Sequence, residues 1–256
     1  MTGIRAPVLL LGGTGDANAL AAALVDRFNH RIVLTTSIAG RTAQPPPVAG
    51  TLRSGGFGGV EGLVGYLRDS HTAIIIDATH PFAARMSHNA AAAAAVLGIP
   101  LLRLTRPPWQ RQPGDHWIDV ADMAEAASVL APLAKRIWLT TGTSDLSALN
   151  SLADAWFLIR LITRPKEPIL SVSHHILEAR GPFELAGERA LIAEYRIEAL
   201  LSKASGGRAT AAKLTAAREA GIPVVMIARP VLPDVPTVTD AGAALDWIAR
   251  ILNTLR

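Results

Sequence analysis

The first glycine-rich turn of the sequence has the composition of a diphosphate-binding loop. The apolar run Pro7 to Leu11 leads directly into glycines, and a helix-forming segment begins at Asp16. Glycine allows a tight turn and a close approach to phosphate, and the following helix N-terminus offers free N–H groups with partial positive charge. Asn18 stands where the dinucleotide fingerprint has its third Gly or Ala, so a plain tight turn is the alternative. We expect this turn to bind a cofactor through Gly12, Gly13, Thr14 and Gly15.

The end of the next apolar run indicates which dinucleotide would fit. This predicted strand ends at Ser37 and is followed shortly by Arg41, with no carboxylate between residues 35 and 42. Proteins that bind NAD usually have Asp or Glu there, on the adenosine ribose. A hydroxyl and an arginine suit the 2′-phosphate of NADPH instead, so Ser37 and Arg41 are predicted cofactor ligands. A solvent-facing loop arginine is the alternative.

Two further segments of the first half carry candidate ligands. A second glycine cluster supplies Gly56, Phe57 and Gly58, whose backbone permits close approach and whose ring could stack on a flat group; a mobile loop is the alternative. The buried run IIIDATHP places Thr79 and His80 at a predicted strand end. Ligands of open α/β sheets bind at such ends. Thr79 is therefore a predicted cofactor ligand and His80 a catalytic candidate, although a capping or core histidine is equally compatible.

The second half repeats the pattern of a strand that ends in glycine. The run LTTG supplies Thr141 and Gly142 as predicted cofactor ligands. The run SKASGG has the composition of an anion-binding nest. Surface or structural roles are the alternative for each residue. The predicted ligands of an anionic substrate are Arg106, Lys203, Ser205, Gly206, Gly207 and Arg229.

The elements that must position these residues alternate between short β-rich runs and longer Ala/Leu-rich runs. This alternation predicts parallel strands joined by crossover helices. We expect an α/β fold of two Rossmann-like lobes, with parallel sheets and a cofactor and substrate cleft between them. The predicted lobes are residues 1–132, which bind NADP, and residues 133–256, which complete the site. Residues 163–184 remain unassigned.

Composition excludes several classes of protein. The 256 residues are 50% hydrophobic and 18% charged, which excludes a disordered chain. The absence of Cys excludes disulfide scaffolds, Cys nucleophiles and Cys metal sites, and the histidines lack metal-ligand spacing, so no metal is expected. Basic residues are scattered despite the net charge of +4, so no nucleic acid is expected. No targeting signal or membrane-length apolar run is visible, so we expect a cytoplasmic protein without a membrane partner.

Taken together, the motifs resemble the precorrin-6A reductase family of the cobalamin pathway. They occur in family order between residues 9 and 230 and therefore cover nearly the whole chain. Ala204 is a departure, since the resemblance leads us to expect Asn at this position in many relatives. The matching motifs are LLLGGTGDANALA, TTSIAGRT, GGFGGVEGLVGYL, IDATHPFAARMSHNA, LGIPLLRLTRPPW, LTTG, ARGPF, LLSKASGGRATAAKL and IPVVMIARP.

The resemblance implies an oxidoreductase that uses NADPH to reduce one double bond of the tetrapyrrole precorrin-6A, giving precorrin-6B. Overall likeness favours the oxygen-dependent branch, whose macrocycle is metal-free, and other enzymes of the pathway are possible channelling partners. Two other functions remain compatible with the residues alone. An NADP sensor without chemistry would have no evident need for the second anion nest, and an S-adenosylmethionine-dependent methyltransferase would need an acidic residue on the second strand, which is absent.

Overall fold

The computed structural model describes residues 5–40 and 47–254. The chain forms two compact units. The first comprises Met1–Arg106 and Pro230–Arg256, and the second is Pro107–Arg229. The chain thus passes from one unit to the other at 106/107 and returns at 229/230, whereas the sequence suggested a single division at 132/133.

The first unit contains a six-stranded sheet whose pairings are all parallel. The strand order is β12-β5-β4-β1-β2-β3. Its strands are β1 (Ala6–Leu11), β2 (Ile32–Ile38), β3 (Thr51–Ser54), β4 (Ile74–Asp77), β5 (Leu101–Leu104) and β12 (Thr237–Val238).

Helices cover both faces of this first sheet. They are α1 (Gly15–Phe28), α2 (Gly59–Asp69), α3 (Ala84–Leu97) and α7 (Ala241–Thr254). Successive residues of β1 point to opposite faces: Val8 and Leu10 pack with α1 and α7, while Leu9 and Leu11 pack with α2 and α3. A strand buried on both faces reads as a continuous apolar run, which is why β1 is recognisable in the sequence.

The second unit repeats the arrangement with a six-stranded parallel sheet in the order β6-β11-β10-β7-β8-β9. Its strands are β6 (Trp117–Val120), β7 (Arg136–Leu139), β8 (Trp156–Leu161), β9 (His174–Glu178), β10 (Ala199–Lys203) and β11 (Val224–Ile227). Its helices are α4 (Met123–Leu133), α5 (Leu185–Glu194) and α6 (Ala212–Glu219), with a 3₁₀ turn at Leu146–Ser151. In the described part of the chain, no helix has the length and apolarity that crossing a membrane requires.

The first sheet has the Rossmann strand order, and in the second sheet the five strands β7–β11 follow it, so the prediction of an α/β fold with two parallel sheets is confirmed. In each unit the sixth strand is distant in sequence from the strand it pairs with, and in the first unit it comes from the returning segment after residue 229. The second sheet takes β6, which pairs Trp117 with Val224, and the first takes β12, which pairs Thr237 with Arg103. These pairings join residues more than 100 positions apart, which explains why composition alone did not place the boundaries between the units.

The core of the second unit holds a buried ion pair. Arg160 of β8 donates two hydrogen bonds to Glu188 of α5, and the side chains are only 5% and 2% exposed. The guanidinium also lies over the rings of Trp138 and Phe183, at 4.7 and 3.6 Å from their centroids. This ion pair joins β8 to α5, and because both side chains are buried, water does not compete for its hydrogen bonds.

Lys213 of α6 lies beside this ion pair and is buried. Its Nζ donates to the hydroxyl of Thr140 at 2.9 Å, just beyond the end of β7. Burial and, to a lesser extent, repulsion from Arg160 lower the pKa of Lys213 to about 7, with attraction to Glu188 opposing the change. The folded protein therefore favours the neutral amine far more than the unfolded chain does.

Removing Glu188 leaves a buried arginine charge without its partner. We expect Glu188→Ala to lower the free energy of unfolding by about 3–5 kcal/mol. Glu219→Ala is the matched control, because it breaks the exposed pair with Arg189 and should cost less than about 1 kcal/mol. Urea unfolding of both variants measures the difference, and similar losses would contradict the structural importance of the buried pair.

Replacing Lys213 with Met should change how stability depends on pH. In the unfolded chain the amine has the ordinary pKa of 10.5, while in the folded protein it is about 7, so below pH 7 its protonation opposes folding. Lys213→Met should therefore unfold at higher urea than the wild type at pH 6, by an amount on the order of a few kcal/mol. The advantage should shrink steadily as the pH rises from 7 to 10. The exposed Lys135→Met is the control, and a pH-independent effect of Lys213→Met would refute the argument.

Candidate functional site

The register of the first sheet brings the carboxyl ends of three strands together at one edge. Leu11 pairs with Ser37 on one side and with Asp77 on the other. The segments after β1, β2 and β4 therefore begin side by side at the carboxyl edge. The chain order reverses between β1 and β4, which is the point where open α/β sheets bind ligands.

The turn after β1 has an open backbone next to a helix N-terminus. Gly13 has a φ of +98°, and a Cβ added at Gly13 or Gly15 would meet nothing within 4 Å. Thr14 caps α1: its hydroxyl accepts from the Ala17 N–H and donates to the Ala78 carbonyl, both at 3.0 Å. The Thr14 hydroxyl is thus engaged, and the turn offers backbone N–H groups to an anion. Gly12 packs against β2, to which its N–H donates at the Ser37 carbonyl.

An acidic side chain in the first turn of α1 is neutralised within the same unit. Asp16 forms an ion pair with Arg106, whose Nε donates to its carboxylate. Without a partner, Asp16 would oppose a phosphate at this helix N-terminus. The structure therefore places Arg106, predicted as a substrate ligand, next to the glycine turn of the first unit.

Asp77 organises the polar groups at the end of β4. It is 2% exposed, and it accepts hydrogen bonds from the Thr79 hydroxyl at 2.7 Å and the Ser87 hydroxyl at 2.6 Å. The Nε of Arg103 lies 3.6 Å from the same carboxylate. The predicted ligand Thr79 is thus held by Asp77. Sequence reasoning did not identify this cluster as part of the site, although an Asp that ends an apolar strand was a usable signal.

His80 is held with a defined proton distribution. Its Nδ1 accepts a hydrogen bond from the backbone N–H of Phe82 at 3.2 Å. Since a backbone N–H only donates, the proton of the neutral ring resides on Nε2. His80 is half-buried and lies shortly beyond the end of β4. In its neutral form, the ring carries its N–H donor at Nε2.

The ends of β2 and β3 carry the residues expected near the adenosine. The Ser37 hydroxyl accepts a hydrogen bond from Arg53 of β3 at 3.2 Å. The Phe57 ring, expected to stack on a flat ligand, packs instead under the Arg53 guanidinium at 3.7 Å and against Tyr66 at 5.2 Å. Arg53 was not identified from the sequence, because its proximity to Ser37 depends on the pairing of two strands. Arg41 lies outside the described residues.

The second sheet brings the remaining predicted residues to its own carboxyl edge. Thr140 and the predicted ligands Thr141 and Gly142 follow β7, and the 203–207 segment follows β10, so they flank the reversal of strand order in this sheet. Thr141 is buried, and the Thr140 hydroxyl is engaged with the Leu201 carbonyl and the Lys213 amine.

The turn after β10 is held through its carbonyl groups. Arg229 donates to the carbonyls of Ala204 and Ser205 at 2.8 and 3.0 Å, and the Trp109 indole donates to that of Gly207 at 2.7 Å. At Gly206, which has a φ of +70°, an added Cβ would lie 2.2 Å from the Pro107 carbonyl oxygen. Only glycine fits this position. Arg229 thus acts on the nest itself, and this contact was not anticipated from the sequence.

Comparisons with known proteins agree with this architecture. The model of the family described as precorrin-6x reductase CbiJ/CobK matches residues 7–249. The precorrin-6A reductase of Rhodococcus erythropolis is 48% identical over 95% of this chain and 98% of its own length. A solved structure of CobK precorrin-6A reductase superposes with a TM-score of 0.88 at 38% identity, covering 96% of this chain and 98% of that one.

A more distant relative acts on a different form of the substrate according to its name. The cobalt-precorrin-6A reductase of Salmonella typhimurium is 31% identical over 87% of each chain. The resemblance found in the sequence motifs is confirmed by these matches, which span nearly the entire chain. The chain therefore belongs to the precorrin-6x reductase family, CbiJ/CobK.

Proposed function

We propose that the protein uses NADPH to reduce one double bond of metal-free precorrin-6A to precorrin-6B in cobalamin biosynthesis. Family membership makes it a reductase of this pathway that needs a nicotinamide cofactor. The higher identity to a relative named for precorrin-6A, 48% against 31% for one named for the cobalt form, supports the metal-free substrate.

The observation that carries the cofactor proposal is the open turn at Gly13 and Gly15, at the N-terminus of α1 and beside the switch point of the first sheet. These backbone N–H groups fit a diphosphate, and the pairing of Asp16 with Arg106 removes the nearby negative charge. NADPH supplies the hydride when it is bound. The chain's own contribution here is to bind and orient the cofactor.

The residues at the end of β2 support a phosphorylated cofactor. β2 contains no carboxylate to receive a ribose 2′-hydroxyl, and it ends near the Ser37 hydroxyl. Arg41 remains a proposed ligand of the 2′-phosphate on the grounds of its sequence position. Gly56, Gly58 and Thr79 remain proposed cofactor contacts of the first unit, and Thr141 and Gly142 of the second.

The substrate carries several carboxylates, which require cationic and N–H donors. Lys203 and the turn Ser205–Gly207 are proposed to supply them in the second unit. Arg229 supports this proposal by holding the carbonyls of Ala204 and Ser205, which turns the Gly206 N–H away from the arginine. The Ser205 N–H donates to the Lys203 carbonyl at 2.7 Å, so Ser205 is proposed to contribute its hydroxyl. Arg106 is a weaker candidate because Asp16 engages it.

His80 is proposed to position the substrate or deliver the proton that accompanies the hydride. The hydrogen bond from Phe82 to Nδ1 leaves the neutral ring with an Nε2–H donor. Such a donor stabilises negative charge developing on a substrate nitrogen or oxygen. If His80 only stabilises this charge, a water molecule delivers the proton to the substrate carbon.

The proposed activity has a direct test. Purified protein mixed with NADPH and precorrin-6A should oxidise NADPH and change the tetrapyrrole spectrum in equal molar amounts, whereas NADH should support much slower turnover. The protein without substrate is the control for background oxidation. Cofactor binding without any turnover would instead indicate a sensor, and equal rates with NADH would contradict the proposed cofactor.

Replacing His80 tests its role separately. We expect His80→Ala to lower kcat by about 10²-fold or more, with little change in NADPH affinity, because the residue acts on the substrate side of the reaction. His30→Ala is the control, since His30 is exposed in the turn that precedes β2, at the opposite edge of the sheet. Unchanged turnover of His80→Ala at saturating substrate would remove His80 from the chemistry.

A further inference from the structure

Arg53 occupies a position in the first sheet that is well suited to the adenosine end of a dinucleotide. It lies on β3 and pairs with Ser37 of β2, which in turn pairs with Leu11 of β1. Neighbouring strands are about 4.8 Å apart, so Arg53 lies roughly 10 Å along the carboxyl edge from the start of the glycine turn. A dinucleotide whose diphosphate sits at α1 extends its adenosine ribose toward the end of β2.

The guanidinium of Arg53 is held in place but retains free hydrogen-bonding capacity. Nη1 donates to the Ser37 hydroxyl at 3.2 Å and to the Gly55 carbonyl at 2.6 Å, and Nη2 donates to the Gly56 carbonyl at 2.9 Å. These bonds use three of the five N–H groups of an arginine. Within the described residues, no acceptor engages Nε or the second hydrogen of Nη2.

Aromatic packing fixes the plane of this side chain. The guanidinium lies 3.7 Å from the centroid of Phe57 and 5.0 Å from that of Tyr66. Both rings pack against the apolar cluster on the α2 and α3 face of the sheet. The direction of the unused N–H groups is therefore set by the core and does not depend on a mobile side chain.

The charge of Arg53 has no acidic partner among the described residues. Arg103 and Arg106 in the same unit pair with Asp77 and Asp16, whereas Arg53 contacts only neutral oxygens and rings. A partly buried cation without a counter-ion carries a desolvation cost that an anionic ligand would offset. Its forked geometry is suited to a phosphate group.

We propose that Arg53 binds the 2′-phosphate of the adenosine ribose and is the residue that makes the protein select NADPH over NADH. This inference rests on the proposed function. Nε–H and the second Nη2–H donate to the phosphate, while the Ser37 hydroxyl, which accepts from Arg53, has its own hydrogen available for the same group. Arg53 also holds the carbonyls of Gly55 and Gly56, and its removal would loosen that loop.

The test separates phosphate recognition from support of the loop. Arg53→Ala, Arg53→Lys and the exposed control Arg68→Ala, on the neighbouring α2, are titrated with NADPH, NADH, 2′,5′-ADP and 5′-AMP. We expect Arg53→Ala to raise the Kd for NADPH and 2′,5′-ADP by roughly 10- to 150-fold and, through the loosened loop, to raise that for NADH and 5′-AMP by a much smaller factor. Arg53→Lys should recover only part of the loss, and Arg68→Ala should match the wild type.

Loss of loop support alone would weaken NADPH and NADH equally, and that result would overturn the proposal. A wild-type preference for NADPH that survives in Arg53→Ala would also overturn it while leaving the proposed function intact, and Arg41→Ala would then be expected to abolish the preference. A wild type that binds both cofactors equally would refute the cofactor assignment itself. Thermal unfolding checks each variant, and Arg53→Gln replaces Arg53→Ala if the latter does not fold.

Discussion

The parallel register of β1 with its two neighbours is the constraint on which the candidate cofactor site depends. Leu11 lies opposite both Ser37 and Asp77, and the Gly12 N–H donates to the Ser37 carbonyl at 2.8 Å. Side chains alternate between the faces of a strand, so a slip of one residue would turn the end of β2 to the wrong face. The buried apolar residues of β2, Ile32 and Leu34, belong to the cluster that packs with α1 and α7, so such a slip would also disrupt that cluster. The packing of the core thus determines where the ligand-binding backbone begins.

Buried charges then orient the groups that the register brings together. In the first unit, Asp77 joins Thr79 of the exit from β4 to Ser87 of α3. In the second, the pair of Arg160 and Glu188 joins β8 to α5. Burying a charge is unfavourable unless every oxygen is hydrogen-bonded, which restricts these elements to a narrow range of relative positions. Each unit therefore has a buried polar cluster that aligns a helix with a strand or with the segment that follows a strand. Apolar contacts alone would not fix this alignment, because they are not directional.

The parts of the fold that were predictable from the sequence are those with strong local patterns. The central strands are continuous apolar runs, and most helices are the longer Ala/Leu-rich runs between them. The four edge strands, β3, β6, β9 and β12, were not predicted, and neither was α5, whose buried positions include Glu188. The edge strands are partly exposed and so lack the continuous apolar run of central strands of similar length such as β4 and β11. In addition, β6 and β12 pair with partners that are distant in sequence. The same distinction applies to the candidate site. The glycine turns are recognisable from the local sequence, whereas the proximity of Arg53 to Ser37 depends on the pairing of β3 with β2.

The location of Arg53 on an edge strand has a physical consequence for recognition. Its guanidinium is restrained by a hydroxyl of β2, by two carbonyls of the following glycine cluster and by the ring of Phe57. The conformational entropy of a long side chain is then lost during folding and not when the ligand binds. A cation ordered in this way discriminates by direction as well as by charge, since its remaining donors match a phosphate but exceed what a single ribose hydroxyl accepts. The outer position of β3 matters equally, because a strand with a neighbour on only one side leaves room for a phosphate beside its last residues.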